Sequence, residues 1–142
     1  MEDLMRTHSL LMLGGLAITG CGDKDGGETG GGDSGAPVAE LSYGEVQNVL
    51  GQSCGFSSCH GAGAGDLMLG DGNEHANLVG IASVDAPDFV LVEPGDADAS
   101  YLIKKMEGAS DISGTVMPPS GALDQATIDG IRDWIDRGAP QE

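Results

Sequence analysis

The sequence predicts a small all-α domain with a helix near each end and loops between, and three observations carry that prediction. Apolar residues recur at helical spacing in three short windows, 42–50, 98–106 and 124–137. Each window opens on a residue able to cap a helix, and the last two close on glycine. The 142 residues include 25 glycines and only 4% aromatic residues, so the chain allows one domain and not all of it packs.

In order along the chain, Ser42 can cap a helix running through Leu50, with Val46, Val49 and Leu50 on one face and Glu45 near its positive end. Segment 61–72 is glycine-rich and turn-prone, although Leu67, Met68 and Leu69 form a small apolar cluster. Residues 77–82 suit a short buried turn. Pro94, Gly95 and Asp96 mark a turn, after which Asp98 or Ser100 caps a helix through Met106 that Gly108 ends. Asp124 caps the clearest helix, over about 125–137, in which Ile128, Ile131, Trp134 and Ile135 form one apolar stripe. Gly138 stops it and Pro140 follows.

The N-terminus points to a compartment. Residues 10–18, LLMLGGLAI, form a short apolar core followed by Thr19, Gly20 and Cys21, the pattern of a secretory segment and too short to span a bilayer. Ile18-Thr19-Gly20-Cys21 resembles the lipobox of bacterial lipoproteins, which implies a signal peptide over 1–20, a lipid on Cys21, and a protein anchored to a membrane of the cell envelope. Glu2 and Asp3 are acidic where a signal peptide needs positive charge, and a start at Met5 would repair this. The following residues, 21–37, are rich in Gly, Asp and Ser and form a hydrated tether. The folded module is expected over 38–142.

That module holds 17 carboxylates and four basic side chains, Lys104, Lys105, Arg132 and Arg137. Its negative field argues against nucleic acid and anionic membrane surfaces as partners, and suits either a basic partner or simple solubility.

The stretch CGFSSCHG, residues 54–61, places two thiols directly ahead of a histidine. That residue set can attach a haem covalently: two sulfurs add across the porphyrin vinyl groups, and His60 turns its imidazole onto the iron. Four residues separate Cys54 from Cys59 where the usual signature has two. The extra residues must bulge outward, which the small Gly55, Ser57 and Ser58 permit, and attachment through one thioether is the alternative. A second site is Met117-Pro118-Pro119, in which the prolines hold Met117 on a rigid loop. Its thioether can serve as the second axial ligand, a pairing that raises the potential of a haem.

Other readings compete. Cys54 and Cys59 can pair as a disulfide in an oxidising envelope, giving a surface module for adhesion or sensing. Zinc lacks a second close ligand pair, and copper leaves a cysteine unused. His75 is the rival to Met117, although its neighbours Asn73, Glu74 and Asn77 suggest a surface histidine. Met68 and Met106 read as core, and Lys104 and Lys105 as a solvated pair, with screening of haem propionates the alternative.

These features together resemble the class I mono-haem c-type cytochromes, in particular the haem-binding modules of bacterial surface lipoproteins. The resemblance covers residues 41–140 and extends to PGDADASYL at 94–102 and IRDWIDRGAP at 131–140. It implies a cytochrome c-like fold in which the first and last helices cross and pack behind one haem. It also implies thioethers at Cys54 and Cys59, His60 as proximal and Met117 as distal iron ligand, and a redox partner protein. No nucleophile elbow, HExxH or phosphate loop is present, so the expected role is an electron carrier and not an enzyme.

Overall fold

The computed structural model describes residues 40–142, and within them four α-helices and no strands carry the fold: α1 (Tyr43–Ser53), α2 (Glu74–Leu78), α3 (Tyr101–Glu107) and α4 (Gln125–Asp136). The all-α expectation holds for this region. The signal segment 1–20, the lipidation at Cys21, the tether 21–37 and the start of the module at Val38 lie outside the described residues.

Local chemistry explains where α1 begins. The Glu45 carboxylate accepts from the Ser42 hydroxyl at 2.6 Å and from the Ser42 N–H at 2.9 Å. These bonds satisfy a donor that the helix leaves free and hold the Glu45 carboxyl below its usual range. The helix runs past Leu50 to Ser53, burying Val46 and Leu50, and delivers the chain to Cys54.

The final helix follows its sequence signals. Asp124 accepts from the Thr127 N–H at 3.0 Å, and Ile128, Ile131, Trp134 and Ile135 are all buried. Tyr43 of α1 stacks on Trp134 with ring centroids 6.1 Å apart, and Arg137 donates to the Leu41 carbonyl at 2.7 Å. The start of α1 therefore meets the end of α4. Val46, Leu50, Leu69, Leu78, Leu102, Ile103 and Met106 join the α4 stripe in one core.

Two local expectations need correction. The segment 77–82, expected as a short buried turn, begins inside α2, which starts at Glu74 and ends at Leu78; the chain then turns at Gly80, with Ile81 N–H donating to the Leu78 carbonyl at 3.3 Å, and this turn is exposed, not buried. Glu74 is 1% exposed, and its carboxylate accepts from Gln47 Nε2 at 2.8 Å and from the Gly70 N–H at 2.6 Å. Burial alone would raise its pKa, but these bonds, with a weaker one from Gly72, outweigh it and hold the carboxyl below its usual range. Met68 is the second correction. It is 42% exposed while Leu69 is 2% exposed, because the backbone is extended at Leu67 and successive side chains alternate in direction.

After α2, residues 79–83 run beside 89–92, joined by single bridges and by the Leu91 N–H to Ile81 carbonyl bond at 2.7 Å. The same stretch anchors the first turn of α3: Tyr101 and Leu102 donate to the carbonyls of Val90 and Leu91, both at 2.9 Å. Ser100 holds the N-cap position without capping. Its buried hydroxyl donates to the Asp96 carbonyl at 2.8 Å and accepts from the Glu93 N–H at 2.9 Å, closing the turn ahead of the helix. Asp98 pairs with Arg132 of α4. Among the described residues no helix is long and apolar enough to cross a membrane.

Candidate cofactor site

The two-cysteine segment folds as a closed loop directly after α1. Cys54 N–H donates to the Leu50 carbonyl at 2.8 Å, which carries the helical path one step further. The chain then turns back on itself: His60 N–H donates to the Cys54 carbonyl at 3.2 Å, and Cys59 N–H to the Phe56 carbonyl at 2.8 Å. Phe56, Ser57 and Ser58 project outward, Phe56 with 55% of its surface exposed. The extra residues between the cysteines therefore form the bulge that their small neighbours allow.

Glycine is required where this loop crosses itself. A Cβ on Gly61 would strike the Gly55 carbonyl oxygen, and one on Gly55 would lie 2.7 Å from the Gly51 oxygen and 2.9 Å from the Gly70 Cα. Leu69 N–H then donates to the His60 carbonyl at 3.1 Å, fixing the histidine backbone from its other side.

Cys54, Cys59 and His60 all line one cavity of about 380 Å³, partly open to solvent and within the range of small-molecule pockets. Its inner wall is apolar, with Leu69 and Leu78 beside Leu102 and Met106 of α3, and Ile81, Val84 and Asp85 stand along it. Met117, Pro118 and Pro119 also line it, although Met117 lies 57 positions after His60. The structure thus brings Cys54, Cys59, His60 and Met117 onto one cavity.

The electrostatics of the site are those of a half-buried apolar pocket. Cys54 and Cys59 are both free thiols. Burial, reinforced by the neighbouring Cys59, pushes the Cys54 thiol above its ordinary pKa. His60 Nδ1 is buried and has no hydrogen-bond partner among the described residues. An unpaired buried polar atom of this kind costs about 1–3 kcal/mol. Among the described residues, no three His, Cys, Asp or Glu side chains converge as a metal-binding group, so Cys54, Cys59 and His60 do not form a zinc-type cluster.

The remaining candidates fall elsewhere. His75 is half-buried instead of exposed as its polar neighbours suggested, and it does not line the cavity. Its Nε2 lies 2.9 Å from the Ala139 carbonyl, and its ring meets Tyr43 and Trp134 edge to face. Met106 is buried as expected. Lys104 and Lys105 are not a solvated pair: Lys104 bonds Asp111 at 2.9 Å and lies 5.1 Å over the Phe89 ring, and Lys105 lines the cavity. Tyr101 was missed altogether. It lines the cavity, stacks on Phe89, and its hydroxyl accepts from the Ser113 N–H at 2.8 Å.

No family model, curated protein or solved structure matches this chain.

Proposed function

We propose that this chain is an electron-transfer c-type cytochrome, carried as a lipid-anchored protein of the bacterial cell envelope and holding one covalent haem. One observation carries the reading: a Cys/Cys-His loop and a methionine from a distant segment line the same apolar cavity. The donor set fits the group. Two thiols would supply the attachment sites, an imidazole and a thioether are suitable iron ligands, and most of the cavity wall is apolar.

In this reading Cys54 and Cys59 would hold the haem, and His60 and Met117 would supply the ligands to its iron. The chemistry that the haem supplies when bound is a one-electron ferrous/ferric couple, tuned by its axial ligands and by the dryness of its pocket. Leu69, Leu78, Leu102 and Met106 exclude water from the inner wall. The meeting of α1 with α4 through Tyr43 and Trp134 supports a cytochrome c-like arrangement, with the terminal helices packed behind the site. If His60 and Met117 both ligated the iron, no ligand place would remain for a substrate, which is the basis for reading a carrier and not an enzyme. Seventeen carboxylates on the module favour a basic redox partner.

The test is the visible spectrum of protein matured in a host that attaches haem. A reduced c-type spectrum is expected, with Met117→Ala altering it and lowering the potential. A colourless protein refutes the reading, and an unchanged spectrum in Met117→Ala removes Met117 from the iron.

A further inference from the structure

The segment that carries Met117 has little packing of its own, since residues 113–116 are all exposed. What holds it is one face of α3. Lys104 takes Asp111, and Tyr101 takes the Ser113 N–H. Lys105, one turn after Tyr101, makes three bonds. Its ammonium donates to the Ser113 carbonyl at 2.8 Å and to the Thr115 carbonyl at 2.7 Å, and its own carbonyl accepts from the Met117 N–H at 2.8 Å.

The convergence on the ammonium has a backbone cause. Gly114 sits between the two carbonyls at φ +73°, a left-handed turn that allows both neighbours to face one cation, and a Cβ there would lie 3.9 Å from Lys105 Nζ. Lysine suits the task because its compact ammonium has three donors and takes more than one acceptor. From the same residue, side chain and backbone bond positions 113, 115 and 117.

We propose that Lys105 is a positioning residue, a latch that presents the Met117 thioether to the cavity. It touches the backbone of the loop, not the sulfur, and acts through where it puts Met117. The part of this inference that concerns an iron ligand rests on the haem reading above; the part that concerns the loop does not.

Two measurements test it. In full-length protein without haem, Lys105→Met removes the ammonium and keeps the stem. Charge-assisted hydrogen bonds are strong enough that amide hydrogen exchange at residues 113–117 should then speed up about tenfold, with the amides of α1 and α4 unchanged. Unchanged exchange in the loop overturns the proposal. If Lys105→Met does not fold, Lys105→Gln is read in the same way with a smaller expected effect.

In haem-loaded protein, imidazole competes with Met117 for ferric iron. Lys105→Met should raise imidazole affinity about tenfold, the factor expected for losing a charge-assisted bond. In a Met117→Ala background the same substitution should change nothing. An equal rise in both backgrounds shows a general loosening and overturns the positioning role. If the protein retains no haem, the haem reading fails, and the exchange measurement alone then decides whether Lys105 holds the loop.

Discussion

His60 donates its N–H to the carbonyl of Cys54 at 3.2 Å, which ties together the two ends of the two-cysteine segment. Both cysteines and the histidine reach one cavity because Gly55 turns the chain tightly and Phe56, Ser57 and Ser58 are left exposed instead of lengthening the path. The contact depends on Gly55 and Gly61 crossing closely.

Replacing Gly61 with Ala drives a Cβ into the Gly55 carbonyl and to 2.8 Å from the Phe56 carbonyl oxygen, both backbone atoms. The expected loss is about 2 kcal/mol or more in urea denaturation, with weaker haem retention in matured protein. Gly44→Ala, on α1 with open space around it, is the control and should leave stability unchanged or slightly higher. Equal stability of Gly61→Ala and wild type contradicts the crossing.

Glu74 should give the fold an acid-sensitive component. Its carboxyl is held below the usual range in the folded protein. Its contribution is therefore complete above the unfolded value of about 4.3 and is lost as the pH falls through the lower folded value. Glu74→Gln removes the charge that Gln47 and the Gly70 N–H bond, at a cost of about 1–3 kcal/mol at neutral pH. The gap between the two proteins should narrow as denaturation is repeated towards pH 3. A gap that stays constant would show that the ionised form is not what those donors stabilise.

His75 and Met117 separate a structural role from a proposed ligand role. His75→Ala removes the Ala139 bond and two ring contacts, so a loss of about 1–2 kcal/mol is expected in thermal unfolding. The spectrum of the haem-loaded protein should not change. Met117→Ala should do the reverse, altering the spectrum with a smaller effect on stability, since Met117 is only half-buried. A spectral change in His75→Ala would mean that this histidine reaches the iron.

Cys54 should alkylate slowly for a thiol so close to the surface. Burial and the neighbouring Cys59 raise its pKa, and the thiolate is the reactive form. Peptide mapping after iodoacetamide treatment of haem-free protein should show the Cys54 rate rising later with pH than that of a free cysteine peptide. Coincident pH profiles would contradict the burial that the structure gives it.

Some of this was legible in the chain and some was not. α4 was legible because its cap, Asp124, and its stripe, Ile128 to Ile135, act within a dozen residues. The bulge between Cys54 and Cys59 was legible for the same reason, since small residues declare where a loop can turn. Glu74 and His75 were not legible. Both sit in a polar run that looks solvated, and each has a partner that lies far off in sequence, Gln47 at 27 residues for Glu74 and Ala139 at 64 for His75. Lys105 was misread for a related reason. A lysine beside another lysine suggests an exposed face, and only the fold shows two carbonyls converging on it. Met68 failed locally, because an apolar cluster on extended backbone sends alternate side chains in opposite directions.

The central claim is that the cavity binding together Cys54, Cys59, His60 and Met117 is a covalent haem site. The intact mass of the denatured protein, after maturation in a host with haem-attachment machinery, tests it most directly. The account predicts a polypeptide heavier by one haem, with at least one of Cys54 and Cys59 resistant to alkylation under reducing conditions. A polypeptide of unmodified mass at this module, with both thiols alkylated, would contradict it.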